Sequence, residues 1–228
     1  MTALRRILSL LSAMMTLFSG ALNTAAPQND ADGLLFLVNR DWTVSELYEP
    51  EVTPAHVKGQ VRNMRADAAA ALEEMFAACK KDIKVTLVSV SGYRNYGKQK
   101  DIYNRKLRSV RNNVEKADEY VARPGASEHQ LGLAMDIGQM NNSSGLTNAF
   151  GKTKGGQWIR EHCWEYGFIL RYQEGWEDIT GYSAEPWHVR YVGKEYAKQI
   201  HEANVPLETW LAEFRTEHLL ELLGEGKQ

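Results

Sequence analysis

Between residues 55 and 90 the apolar residues change from helical spacing to a continuous β-branched run, so the chain must fold as a mixture of helices and strands. Val57, Val61, Met64, Ala68, Leu72, Phe76 and Cys79 recur at intervals of three or four, which predicts a helix from about Ala55 to Lys80 with one buried stripe. Val85 to Val90 then has the length and composition of a strand. A polar helix is expected from about Asn95 to Lys116, strands over 129–138 and 183–192, and a helix over Gln157–Tyr166. Two further helices, broken at Pro206, are expected between Lys194 and Leu223. Few strands with irregular connections indicate an α+β domain and not a doubly wound sheet.

At 228 residues the chain can bury one good core, and a single domain is assigned to residues 33–228. The net charge of −2 gives no basic footprint for nucleic acid. Arg5 and Arg6 precede an apolar stretch from Ile7 to about Leu22, the pattern of an export signal. Small residues at Ser19 and Ala21 place cleavage after Ala21, giving a signal over residues 1–21 and a polar lead-in over 22–32. The expected location is extracellular, cell-wall or periplasmic, without stable membrane insertion after cleavage; an uncleaved signal would instead act as an anchor. Cys79 and Cys163 lack the spacing of a metal or redox pair, and sequence leaves a disulfide between them open.

Ligand-type residues concentrate in two stretches, Ser127-Glu128-His129-Gln130-Leu131-Gly132-Leu133-Ala134-Met135-Asp136 and Glu185-Pro186-Trp187-His188. Catalytic zinc sites take three protein ligands from His and carboxylate and keep a position for water. Two His and one Asp would leave the ion net positive, able to acidify that water, and a separate carboxylate such as Glu185 could take its proton. His129 and Asp136 differ by seven, so a regular strand would send them to opposite faces. Gly132 permits the bend that turns both inward, with Leu133, Met135 and Ile137 then facing the core. Spacing alone leaves hydrogen-bonded structural histidines as an equal reading of His129 and His188. His56, His162, His201 and His218 stand outside any such cluster and read as structural.

Phe36-Leu37-Val38-Asn39, Ser91-Gly92-Tyr93-Arg94, the stretch Ala122 to Ile137, Gly167 to Tyr172 and Glu185 to Gly193 resemble the D-alanyl-D-alanine carboxypeptidase family of zinc peptidases. That group contains the vancomycin-resistance VanY enzymes and L,D-carboxypeptidases. The resemblance implies a small antiparallel sheet with flanking helices and a zinc site in a cleft on the sheet, a fold shared with hedgehog signalling domains. It places one Zn²⁺ on His129, Asp136 and His188, and the catalytic base on Glu185. Arg94 matches an arginine that holds the substrate peptide, with Gln99 and Ser127 as further contacts; Trp187 reads either as core packing beside the zinc site or as a wall for the substrate. A guanidinium suits this role because it can grip a terminal carboxylate with two hydrogen bonds. Gln130-Leu131 departs from the family's frequent Thr before Gly132, which is expected to tune the pocket.

The implied function is a monomeric metallocarboxypeptidase removing the terminal D-Ala of peptidoglycan stem peptides, with D,D-cleavage favoured. L,D-cleavage of tetrapeptide stems and endopeptidase action are the alternatives. A noncatalytic zinc module is disfavoured because it would not need Glu185. A serine-type wall peptidase would be expected to carry Ser-x-x-Lys, and the chain contains no such tetrad.

Overall fold

The computed structural model describes residues 33–225 except Ser144, with side chains through Thr216. The expected signal, its lead-in and the His218 side chain lie outside the described residues.

The long helix begins later than its apolar spacing suggests. Residues 53–64 form a hairpin-like pair, β1 (Thr53–Pro54) and β2 (Asn63–Met64), and helix α1 spans Ala66–Ile83. Val57 and Val61 matched the helical interval by coincidence; Val61 is 42% exposed, whereas Ala68, Leu72, Met75, Phe76 and Cys79 are buried. Each large side chain on that face contributes about 1.5–3 kcal/mol by leaving water. Lys84, in the left-handed conformation, ends α1 and donates its backbone N–H to Lys80.

Strand β3 (Leu87–Ser91) follows, then α2 (Tyr96–Ser109) and α3 (Val114–Asp118). The single helix expected to Lys116 is split because Arg111 and Asn112 take positive φ, and Asn113 caps α3 by accepting from the Lys116 amide. The region predicted as strand from residue 129 starts instead as a 3₁₀ turn, Glu128–Leu131, before β4 (Ala134–Gln139). Helix α4 (Lys154–His162) and a 3₁₀ turn (Cys163–Tyr166) lead into β5 (Phe168–Leu170), a strand not foreseen from the sequence. The chain continues through α5 (Glu177–Thr180), β6 (His188–Tyr191), α6 (Lys194–Ala203) and α7 (Leu207–Glu225).

β3, β4, β6 and β5 form, in that order, an antiparallel sheet. Leu133, Met135 and Ile137 are fully buried and pack with α1 in the main core, as strand alternation requires. A second apolar cluster joins Leu37, Ile169 and Val192 to Ile200, Leu207 and Trp210 of the last two helices. Cys79 and Cys163 are both buried free thiols. No helix among the described residues is long and apolar enough to cross a membrane.

Candidate active site

The two central strands put two ligand-type residues face to face. Asp136 of β4 is the register partner of His188 of β6, so their side chains project from the same face of the sheet. His188 Nδ1 lies 3.0 Å from Asp136 Oδ1. His129 reaches them from the 3₁₀ turn. Gly132, at φ +68°, closes that turn and redirects the chain into β4, and His129 Nε2 lies 3.4 Å from Asp136 Oδ2. The irregular register of β3 between Ser89 and Ser91 carries the chain to Gly92. Its carbonyl oxygen is 2.7 Å from His129 Nδ1. A Cβ at Gly92 would fall 2.5 Å from the Asn63 carbonyl oxygen, so the close packing there requires glycine.

One ligand atom from each of His129, Asp136 and His188 lies within 4.8 Å of the others, and all three residues are buried. The ring orientations suit a cation. With Nδ1–H donated to Gly92, His129 presents Nε2 to the centre; with Nε2 facing Glu128 Oε2 at 3.2 Å, His188 presents Nδ1. Burial opposes the charge of Asp136, but the two imidazoles hold its carboxyl well below the ordinary range. Burial and the Arg94 charge push His129 down to about 4, leaving its ring neutral and able to donate a lone pair. Burial also opposes charge on His188, yet its hydrogen bonds to Asp136 and Glu128 outweigh this and raise it to about 9. A position that holds a proton between two carboxylates is equally suited to a metal cation.

The ligand group opens on a cleft of about 340 Å³ whose walls include Arg94, Gln99, Ser127, Tyr172, Glu185 and Trp187. All eight residues singled out from the sequence therefore converge. Glu185 Oε2 is 3.9 Å from His188 Nδ1. Burial, with Asp136 and Glu128 adding and His188 and Arg94 opposing, raises Glu185 to about 7, where it can both take and return a proton near neutrality. Arg94 is fixed by donation of its backbone N–H to His129, but its buried Nε has no hydrogen-bond partner among the described residues. Burial lowers its pKa against the pull of Asp136 and Glu185. Gln99 donates to the Ala122 carbonyl at 2.7 Å and leaves its buried Oε1 unpartnered among the described residues. Trp187 serves both roles weighed for it, lining the cleft and packing against the main core.

Two features depart from the sequence reading, the place of Gln130-Leu131 and the role of Glu128, whereas His162 and His201 lie outside the cluster as expected. Leu131 is buried in the core and Gln130 donates to the Ser45 and Tyr48 carbonyls, so this pair does not line the cleft. His162 pairs with Glu165, and His201 stacks on Trp164, away from the ligand group. Glu128 was missed. It is buried beside His188, where Arg171 and Arg190 overcome the desolvation cost and hold its carboxyl far below the ordinary range. Its traces in the sequence are the two arginines inside otherwise apolar strand-forming runs, Phe168-Ile169-Leu170-Arg171 and His188-Val189-Arg190-Tyr191.

The fold and cleft define an α+β protein with a group of three residues on its sheet that could hold a metal ion, faced by an enclosed carboxylate and guanidinium. The VanY D-alanyl-D-alanine carboxypeptidase family model matches residues 61–194. The chain is 45% identical to the Bacillus subtilis protein YodJ over 186 residues, covering 78% of this chain and 67% of that protein. It is 35% identical to a D-alanyl-D-alanine carboxypeptidase of Enterococcus faecalis over 198 residues, covering 83% and 70%. Among solved structures, the LdcB LD-carboxypeptidase superposes with a TM-score of 0.74 at 43% identity, covering 79% of this chain and 86% of LdcB. VanYB in complex with D-alanine-D-alanine gives 0.66 at 32% identity, covering 78% and 96%. A VanY D,D-pentapeptidase variant in complex with Zn(II) gives the same TM-score of 0.66 and identity of 32%, covering 78% and 98%. The chain belongs to the VanY D-alanyl-D-alanine carboxypeptidase family.

Proposed function

We propose that this protein is a zinc-dependent carboxypeptidase that removes the C-terminal D-Ala from peptidoglycan stem peptides. The observation that carries the reading is the convergence, in one cleft, of the His129–Asp136–His188 group, the Glu185 carboxyl that burial raises to about 7, and a guanidinium whose Nε has no partner among the described residues. The Zn(II) complex of a VanY relative supports the identity of the ion. Bound by His129 Nε2, an Asp136 oxygen and His188 Nδ1, zinc would supply an acidified water and a polarised scissile carbonyl.

The chain's own residues do the rest. Glu185 takes a proton on its carboxylate and delivers it to the departing amine. Arg94 receives the terminal carboxylate of the peptide as a charge-assisted pair and so fixes which bond lies before Glu185. Gln99 Oε1 offers an acceptor on the same wall, and Trp187 with Tyr172 closes the cleft with aromatic surface.

D,D-cleavage of pentapeptide stems is the reading that the family's description supports. L,D-cleavage of tetrapeptide stems is favoured by a different observation, the higher identity to LdcB, 43% against 32% for VanYB. Mass spectrometry of pentapeptide and tetrapeptide muropeptides incubated with the zinc-loaded protein separates the two. Loss of one D-Ala from either substrate supports the carboxypeptidase, and scission inside the stem or cross-link replaces it with an endopeptidase. We also infer export, on Arg5-Arg6 and the apolar stretch after them. N-terminal sequencing of secreted protein should begin near Leu22, and an intact N-terminus in membranes would indicate an anchor.

A further inference from the structure

Behind the ligand group lies a buried chain of charges that runs to both ends of the described fold. Glu128 Oε2 faces His188 Nε2 at 3.2 Å. Its other oxygen accepts Arg171 Nε at 2.8 Å and Arg190 Nη1 at 2.9 Å. Arg171 then grips Glu208 of α7 with both terminal nitrogens, at 2.9 and 2.5 Å. Arg190 Nη2 donates to the carbonyls of Leu34 and Phe36, each at 2.9 Å. The side chains of Glu128, Arg171 and Arg190 have no exposed surface, and that of Glu208 is 13% exposed. Two guanidinium groups are thus balanced by two carboxylates. Glu208, Leu34 and Phe36 all lie outside residues 61–194, the part matched by the family model.

We infer that Glu128 is a positioning residue that fixes His188 with its proton on Nε2 and Nδ1 toward the metal, and that Glu208 braces it through Arg171. The C-terminal helix is then part of the frame of the metal centre. This inference rests on the zinc reading proposed above. Its logic is hydrogen-bond parity. Glu128 Oε1 already accepts from two guanidinium groups, so Oε2 is the acceptor left for His188. An acceptor there requires a donor on the ring, and a proton on Nε2 leaves the lone pair on Nδ1. His129 is held in the opposite sense by the Gly92 carbonyl, so the two imidazoles approach the ion through different nitrogens.

Glu128→Gln tests the parity directly. The amide oxygen should stay with the two arginines, which turns its NH₂ toward His188 and favours the wrong tautomer. Zinc Kd, measured by competition with a chromophoric chelator, should rise about 10–100-fold, the usual effect of losing such a partner. Glu208→Gln, at the more accessible end, should raise it by a smaller factor and keep the fold. Nitrogen-15 NMR of the zinc-loaded wild type should show His188 ligated through Nδ1 and His129 through Nε2, a readout that needs no variant to fold. Ligation of His188 through Nε2, or unchanged zinc affinity in folded Glu128→Gln, would overturn the relay while leaving the zinc peptidase intact. A wild type that takes up no zinc would overturn the functional reading and this inference with it.

Discussion

The two sides of His188 are built on opposite principles. Behind it, Glu128, Arg171, Arg190 and Glu208 satisfy one another with charge-assisted bonds. In front, Arg94 Nε and Gln99 Oε1 are enclosed without hydrogen-bond partners among the described residues, and Glu185 is pushed up to about 7. A fully satisfied network rigidifies its surroundings, whereas enclosed polar groups short of partners are stabilised by a ligand that completes them. Under the proposed function, the contrast separates what would hold the metal ligands still from what would recognise and process a peptide. Substitutions in front should therefore change turnover at constant stability, and substitutions behind should change stability and metal affinity together.

The largest effect is expected in front. Glu185→Gln should keep its zinc and its melting temperature but lose about 10²–10⁴-fold in kcat, because an amide cannot take the proton. Near-normal turnover would move the base elsewhere and dissolve the contrast. Behind, Arg190→Ala leaves part of a buried carboxylate uncompensated and should cost about 3–5 kcal/mol. That corresponds to a fall of roughly 6–20 °C in Tm, read by calorimetry; a smaller loss would show that the network is more plastic than its bonding suggests. Arg94→Ala removes the proposed partner of the substrate carboxylate, so kcat/KM should fall by a factor equivalent to about 2–5 kcal/mol. Arg94→Lys should restore little of it, since a point charge lacks the planar fork. With an amidated substrate the wild type should already be slow, and equal cutting of acid and amide would favour an endopeptidase.

The smallest effect lies away from both regions. Burial, with Asp82 adding, raises the Cys79 thiol to about 11, and burial raises Cys163 to about 12, from an ordinary 9.0. Folding therefore favours the protonated thiol. This contribution to stability is complete below pH 9 and declines as pH rises toward 11 to 12. Both thiols should resist alkylation at pH 8 and react on denaturation, and a mass two units lower without reactive thiols would instead indicate a disulfide.

Residues in front were legible in the sequence because short local patterns carry them: His129 and Asp136 around Gly132, Glu185 and His188 around Pro186, Arg94 just after a strand. The network behind was hidden because its members are far apart in sequence. Glu128 meets Arg171 and Arg190 across separations of 43 and 62 residues, which no periodicity reports. The same limit affected the fold. The apolar stripe identified α1, but Val57 and Val61 continued its interval through a segment held instead by β1–β2 pairing. β5, at three residues, was too short for an alternation to register.

The pairing of Asp136 opposite His188 also bears on which changes of chain length the protein can accept. Side chains alternate along a strand, so a slip of one residue in β6 would put Val189 opposite Asp136 and turn the imidazole toward the core. One such deletion would cost one of the three proposed metal ligands without altering any residue of the two motifs. Ser143 and Gly145 to Ala149, between β4 and α4, are exposed and carry none of the ligands, so added residues there would leave the β4–β6 register untouched. Length variation compatible with activity should accordingly fall outside the ladder, however much the loops around it change.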